Sequence, residues 1–180
     1  MENSVSDIDF LKGVYEAARN RYKPRQIRVL LIAEAPPCAL DRFFYFEDVK
    51  RQDSLFLEIM GLLYPEEKQQ YLKSGRETHL KAGLLEKFQL DGYWLLDLSE
   101  IPTSVSNNSL ESSLPSLIAR LEKYVDKNIP LILIKSNVYD ICHPALISKR
   151  FNVITERIPF PGSGQQKVFR QKFAKALKQC

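Results

Sequence analysis

Apolar residues fall into two kinds of run along this chain. Arg28–Ala33 (RVLLIA), Tyr93–Leu96 (YWLL), Pro130–Ile134 (PLILI) and Phe151–Thr155 (FNVIT) are short and nearly continuous. Runs of this kind suit strands buried on both faces, as in a parallel sheet. Between them the apolar positions recur every three or four residues. Ile8, Leu11, Val14, Tyr15 and Ala18 predict a helix over 7–22, capped by Asp7 and stopped by Pro24. Leu55, Ile59 and Leu62 predict another over 54–63. Further helices are expected over 65–73, 78–89, 110–126, 137–148 and 165–178, with breaks at Ser74-Gly75 and Asp91-Gly92.

Strands that alternate with helices pair in parallel through right-handed crossovers. The expected architecture is therefore a three-layer α/β/α fold around a central four-stranded parallel sheet. No repeat, low-complexity tract or linker divides the chain, so residues 1–180 read as one domain.

Each strand runs directly into a polar residue: Glu34, Asp97, Lys135, and the pair Glu156-Arg157. Open parallel sheets bind ligands outside the carboxyl ends of their strands. If the first strand is central, these residues meet at one crevice, where charged groups shift one another's proton affinity. After the fourth run, IPFPGSGQQ leads into a helix. Its glycines and serine either aim backbone N–H groups at an anion or form a tight loop. It is not a Walker loop, because the spacing differs and the Lys-Ser/Thr pair is missing. The run Phe43, Phe44, Tyr45, Phe46 offers rings for stacking on a base or for the core.

Composition changes this picture little. A hydrophobic fraction of 44% and a charged fraction of 27% fit a globular protein. No apolar run approaches the ~20 residues needed to span a bilayer, and MENSVSDIDF does not read as a signal peptide. Cys38, Cys142 and Cys180 match no metal-binding spacing. Cys38 is read as a small apolar residue or as a thiol beside the cleft. A reducing cytoplasm, a monomer, no membrane association, and no metal or cofactor are expected. The net charge of +4 is compatible with an anionic partner, and Lys167, Arg170, Lys172, Lys175 and Lys178 crowd the last helix.

The order strand–AEAPP–RFF, strand–Asp97, strand, IPFPGSG–helix resembles the uracil-DNA glycosylase superfamily over roughly residues 27–178. The resemblance implies that Glu34 matches the acidic residue some branches carry in the first motif, where it activates or positions water. Pro36 matches the motif proline, and Phe44 matches the aromatic that stacks on a flipped base. Asp97 falls where the family has its base-reading asparagine. As a carboxylate it accepts hydrogen bonds and does not donate them, so it suits a donor edge such as an amino group. Ile158–Pro161 falls where the family has its histidine motif. Gly162, Ser163, Gly164 and Gln165 would form the loop beside the DNA, with Pro161 leading into it and Lys135 contacting anionic groups. Ala33 stands at the first-motif glycine, Ala35 where DNA-cleaving branches carry Asp or Asn, and IPFPGSG contains no histidine.

Three functions follow from this reading. One is a glycosylase-like hydrolase acting on a nucleobase in DNA or a related ligand, with Glu34 and Asp97 catalytic. The second is a catalytically silent nucleic-acid-binding module. The third is an enzyme for a small phosphorylated molecule held by the PGSG loop.

Overall fold

The run Val29–Ala33 forms β1, and all five of its residues are buried. A strand with no polar face has to sit in the interior of a sheet, and β1 does so. It pairs in parallel with β2 (Tyr93–Asp97) on one side and β3 (Leu131–Leu133) on the other, giving the order β2-β1-β3. The computed structural model describes residues 5–51, 53–106, 108–162 and 164–180.

Seven α-helices accompany this three-stranded sheet among the described residues. They are α1 (Val5–Arg21), α2 (Ser54–Leu63), α3 (Pro65–Lys73), α4 (Thr78–Leu90), α5 (Leu114–Tyr124), α6 (Ser136–Ser148) and α7 (Gln166–Leu177). Neighbouring residues of β2 show that helices lie over both faces. Tyr93 stacks on Phe88 of α4, whereas the Trp94 ring meets Tyr124 of α5 and its Nε1 donates to the Arg19 carbonyl of α1. Successive strand residues point to opposite faces, so α4 lies on one side of the sheet and α1 and α5 on the other.

Two expectations need correction. The helix expected over 110–126 begins as a 3-10 turn, Leu110–Ser113, and becomes α-helical only at Leu114. Pro115 occupies the first turn of α5, where its missing N–H is no loss.

The larger correction concerns the fourth strand. Phe151–Thr155 runs beside β3 but forms no ladder. Among the described residues, the chain from Phe151 to Ile158 pairs with β3 and its extension in two isolated parallel bridges, Leu131–Val153 and Ile134–Ile158. From the first bridge to the second the chain advances three residues on the β3 side and five on the other. The surplus of two cannot be accommodated in register, so the segment loops outward. Thr155 and Arg157 are exposed there, and Glu156 pairs with Lys175 while Arg157 binds Asp140 at 2.7 Å.

The register sets the level of the strand ends. Ala33 lies opposite Asp97, and Ile32 lies opposite Leu133. Two residues beyond that second pair, Glu34 and Lys135 leave the sheet at the same height. From β1 the chain moves to one neighbour and then crosses to the other. The strand order therefore reverses at β1, the position where open α/β sheets form their crevice.

Candidate active site at the strand ends

Glu34 is the first residue after β1. Its carboxylate forms an ion pair with the Lys135 ammonium, and its Oε1 accepts from Asn137 Nδ2 at 2.8 Å. The Asn137 Oδ1 accepts the Val138 N–H at 2.9 Å, which fixes the amide with its NH2 toward Glu34. Lys135 joins β3 to α6 with a φ of +85°, in the left-handed region that a side chain rarely enters. Conformations of this kind cost roughly 1–3 kcal/mol and persist where the surroundings enforce them. Here the Lys135 N–H donates to the Ile158 carbonyl at 3.0 Å while its side chain is drawn to Glu34.

Asp97 ends β2 and is only 2% exposed. Arg120 Nη2 donates to the Asp97 and Leu98 carbonyls at 2.9 and 3.0 Å, and Arg19 Nη1 stands 4.0 Å from Asp97 Oδ2. At that distance no hydrogen bond forms, and among the described residues Asp97 Oδ2 has no hydrogen-bond partner. Burial pushes the Asp97 carboxyl up to about 6, against the lowering effect of Arg19 and Arg120, and nearby Glu34 raises it further.

These groups converge on a cavity of about 380 Å³. Glu34, Pro36, Phe44, Asp97 and Lys135, drawn from three strand ends and the loop after β1, all line it. Phe44 contributes to its apolar wall, but its ring is 5% exposed and packs against Tyr45, Phe56 and Phe88 at 5.0, 5.5 and 5.6 Å. Across the mouth, the Cys38 thiol meets the Ser104 hydroxyl.

The glycine loop is placed differently. Among the described residues, Phe160 lines the cavity and Pro161, Gly162, Gly164 and Gln165 do not. Pro161 is buried, and the Gln165 N–H donates to the Gly162 carbonyl at 3.0 Å, so this amide closes a turn. Ser163 lies outside the described residues. The basic helix α7 is partly neutralised: Arg170 pairs with Glu58 at 3.1 Å, Lys175 pairs with Glu156, and Lys172 donates to the Arg157 carbonyl at 2.8 Å.

The chain matches no protein-family model, no curated protein and no solved structure. The chemistry of the site therefore rests on its own residues.

Sequence reasoning missed several of its parts. Arg19 and Lys81 are buried cations on the apolar faces of their helices. Arg19 follows Tyr15 by one helical turn, and Lys81 shares a face with Leu84, Leu85 and Phe88. A cation at such a position was the available signal. Lys81 binds Asp53 Oδ2 at 3.0 Å, and its ammonium lies 4.2 Å from the Phe56 ring centre. Burial lowers Lys81 and raises Asp53, each opposed by the partner's charge. Asp53 borders the same cavity. Asn137 lies four residues past the end of β3, in the first turn of α6, and nothing in its local pattern marks it.

Proposed function

We propose that this chain is a divergent uracil-DNA glycosylase-like protein whose cavity takes a nucleobase and hydrolyses its N-glycosidic bond. The observation that carries the reading is the meeting of Glu34, Asp97 and Lys135 at one cavity of about 380 Å³. That volume falls within the range of small-molecule sites. The proposed fold is the superfamily's three-layer arrangement, with residues 151–158 standing in the place of its fourth strand. The proposed partner is DNA, bound by a monomer in a reducing, cytoplasmic setting.

In this reading, Glu34 is the general base. Lys135 and Asn137 hold its carboxylate in place, and it takes a proton from the attacking water. The water oxygen forms a bond to the sugar's anomeric carbon, and the bond from that carbon to the base nitrogen breaks. The electron pair leaves with the base, which then acquires a proton. The sugar gains oxocarbenium character as this occurs, and carboxylates at the site stabilise that positive charge. The Lys135 ammonium is paired with Glu34 and borders the cavity, where it can contact an anionic group of the ligand. The unpartnered Asp97 Oδ2 accepts an N–H from the base edge, which favours a base bearing an amino group.

A binding module without turnover is favoured by one observation: the Glu34 carboxylate is already engaged by Lys135 and Asn137. The deciding experiment incubates the protein with oligonucleotides carrying uracil, hypoxanthine, xanthine or alkylated bases and scores abasic sites. Release from at least one substrate is expected. If folded protein binds the oligonucleotides but releases none of these bases, the hydrolase is excluded and the binding module remains.

A further inference from the structure

We infer that Phe160 is the ring on which a planar heteroaromatic ligand of this cavity stacks. The inference rests on the nucleobase reading and adds to it a residue that determines which ligands bind.

Four phenylalanines line the cavity: Phe43, Phe44, Phe56 and Phe160. The first three are 2%, 5% and 0% exposed and are engaged with other rings. Phe43 meets Tyr15 at 4.8 Å, and Phe44 meets Phe56 at 5.5 Å. These rings build the wall, and the protein already occupies their surroundings. Phe160 is 42% exposed. It has no ring partner among the described residues, so it is the cavity phenylalanine with surface left to offer.

The backbone on either side of this exposed ring is held in place. Pro159 and Pro161 flank it, and each fixes its own φ near −65°. Ile158 is fully buried and accepts the Lys135 N–H at 3.0 Å, while Pro161 is buried on the other side. The connection is therefore pinned at both ends. Gly162 makes room for the ring itself. A Cβ there would lie 3.1 and 3.2 Å from Phe160 Cδ1 and Cε1, tighter than ordinary contact. One edge of the ring thus rests against a glycine that a larger residue would disturb, and the ring also borders the cavity. Through the Ile158–Lys135 bond, Phe160 sits two residues from the attachment to the Glu34–Lys135 pair. A base stacked on it would lie beside the groups proposed to act on it.

An exposed aromatic ring is poorly used as core. Fixed beside a cavity that also carries Glu34, Asp97 and Lys135, it provides a sequence-tolerant stacking surface, because every base has a π face. Its removal is expected to weaken binding about tenfold or more.

The test uses a fluorescein-labelled single-stranded oligonucleotide containing one 2-aminopurine. Anisotropy reports binding, and 2-aminopurine emission reports stacking. Phe160→Ala and Phe160→Leu should each weaken binding about tenfold and abolish the emission change, whereas Phe160→Tyr should retain both. Phe160→Leu keeps apolar bulk, so wild-type behaviour of that variant would mean packing alone and would overturn the inference. Wild-type behaviour of Phe160→Ala would overturn it and leave the nucleobase reading standing. If wild-type protein gives neither signal, both fall together. Gly162→Ala retains the ring but displaces it, and should fall between wild type and Phe160→Leu. Thermal unfolding of each variant separates lost folding from lost stacking.

Discussion

Replacing Asp97 with Asn should make the protein more stable at pH 8 and leave its stability almost unchanged near pH 4. The side chain keeps its shape and loses its charge. Burial moves this carboxyl from 3.8 to about 6, even with Arg19 and Arg120 pulling it down. Each pH unit of displacement corresponds to about 1.4 kcal/mol. The ionised form is therefore disfavoured in the folded protein by about 3 kcal/mol relative to the unfolded chain. Because the folded value lies above the unfolded one, the native state binds the proton more tightly. Stability is then greatest below about pH 4 as far as this group is concerned, and declines as pH rises through about 6. The amide of the Asp97→Asn variant carries no such penalty, and its oxygen can still face Arg19. Urea unfolding at pH 4 and pH 8 should give a variant–wild-type difference that grows toward about 3 kcal/mol at pH 8. For a chain of this size that corresponds to a rise in Tm of roughly 6–12 °C. A variant less stable than wild type at pH 8, or a difference independent of pH, would show that the carboxylate is held for stability. The expected result instead identifies a charge that the fold carries at a cost, as functional sites commonly do.

Glu34→Gln should leave oligonucleotide affinity close to wild type while reducing base release by roughly 10²–10⁴-fold, the usual contribution of a general base; abasic-site yield against time checks this. Lys81→Met should destabilise the protein by about 3–5 kcal/mol, because it leaves Asp53 buried without its partner. Adding Asp53→Asn to that variant should recover much of the loss, measured by urea unfolding of both single variants and the double.

The parts of this molecule that were legible in its sequence are those governed by local pattern. VLLIA read as a strand with no wet face, and its central place in the sheet brought the ends at Glu34, Asp97 and Lys135 to one cavity. The helix at Ser54–Leu63 followed directly from its apolar spacing. What was hidden depends on partners distant along the chain. FNVIT has the composition of a strand, but whether it zips onto β3 is decided by spacing on both chains, and that spacing is unequal. Phe44 lies in an aromatic run whose local pattern cannot say which ring meets the cavity and which meets Phe56 and Phe88. Arg19, Arg120 and Lys81 are charged residues whose burial is set by opposite charges or carbonyl groups far along the chain, at Asp97, Leu98 and Asp53.

The unequal spacing beside β3 also bears on how copies of the molecule meet. A bare outer strand offers alternate amides and carbonyls to any passing chain, and proteins that leave one uncovered invite endless stacking. Here the rim is occupied by a stretch that takes up the Leu131 amide and carbonyl and the Lys135 amide, then bends away with charged side chains at its crest. It closes the rim without itself becoming a new straight one, so growth of the sheet into a fibre stops at that side.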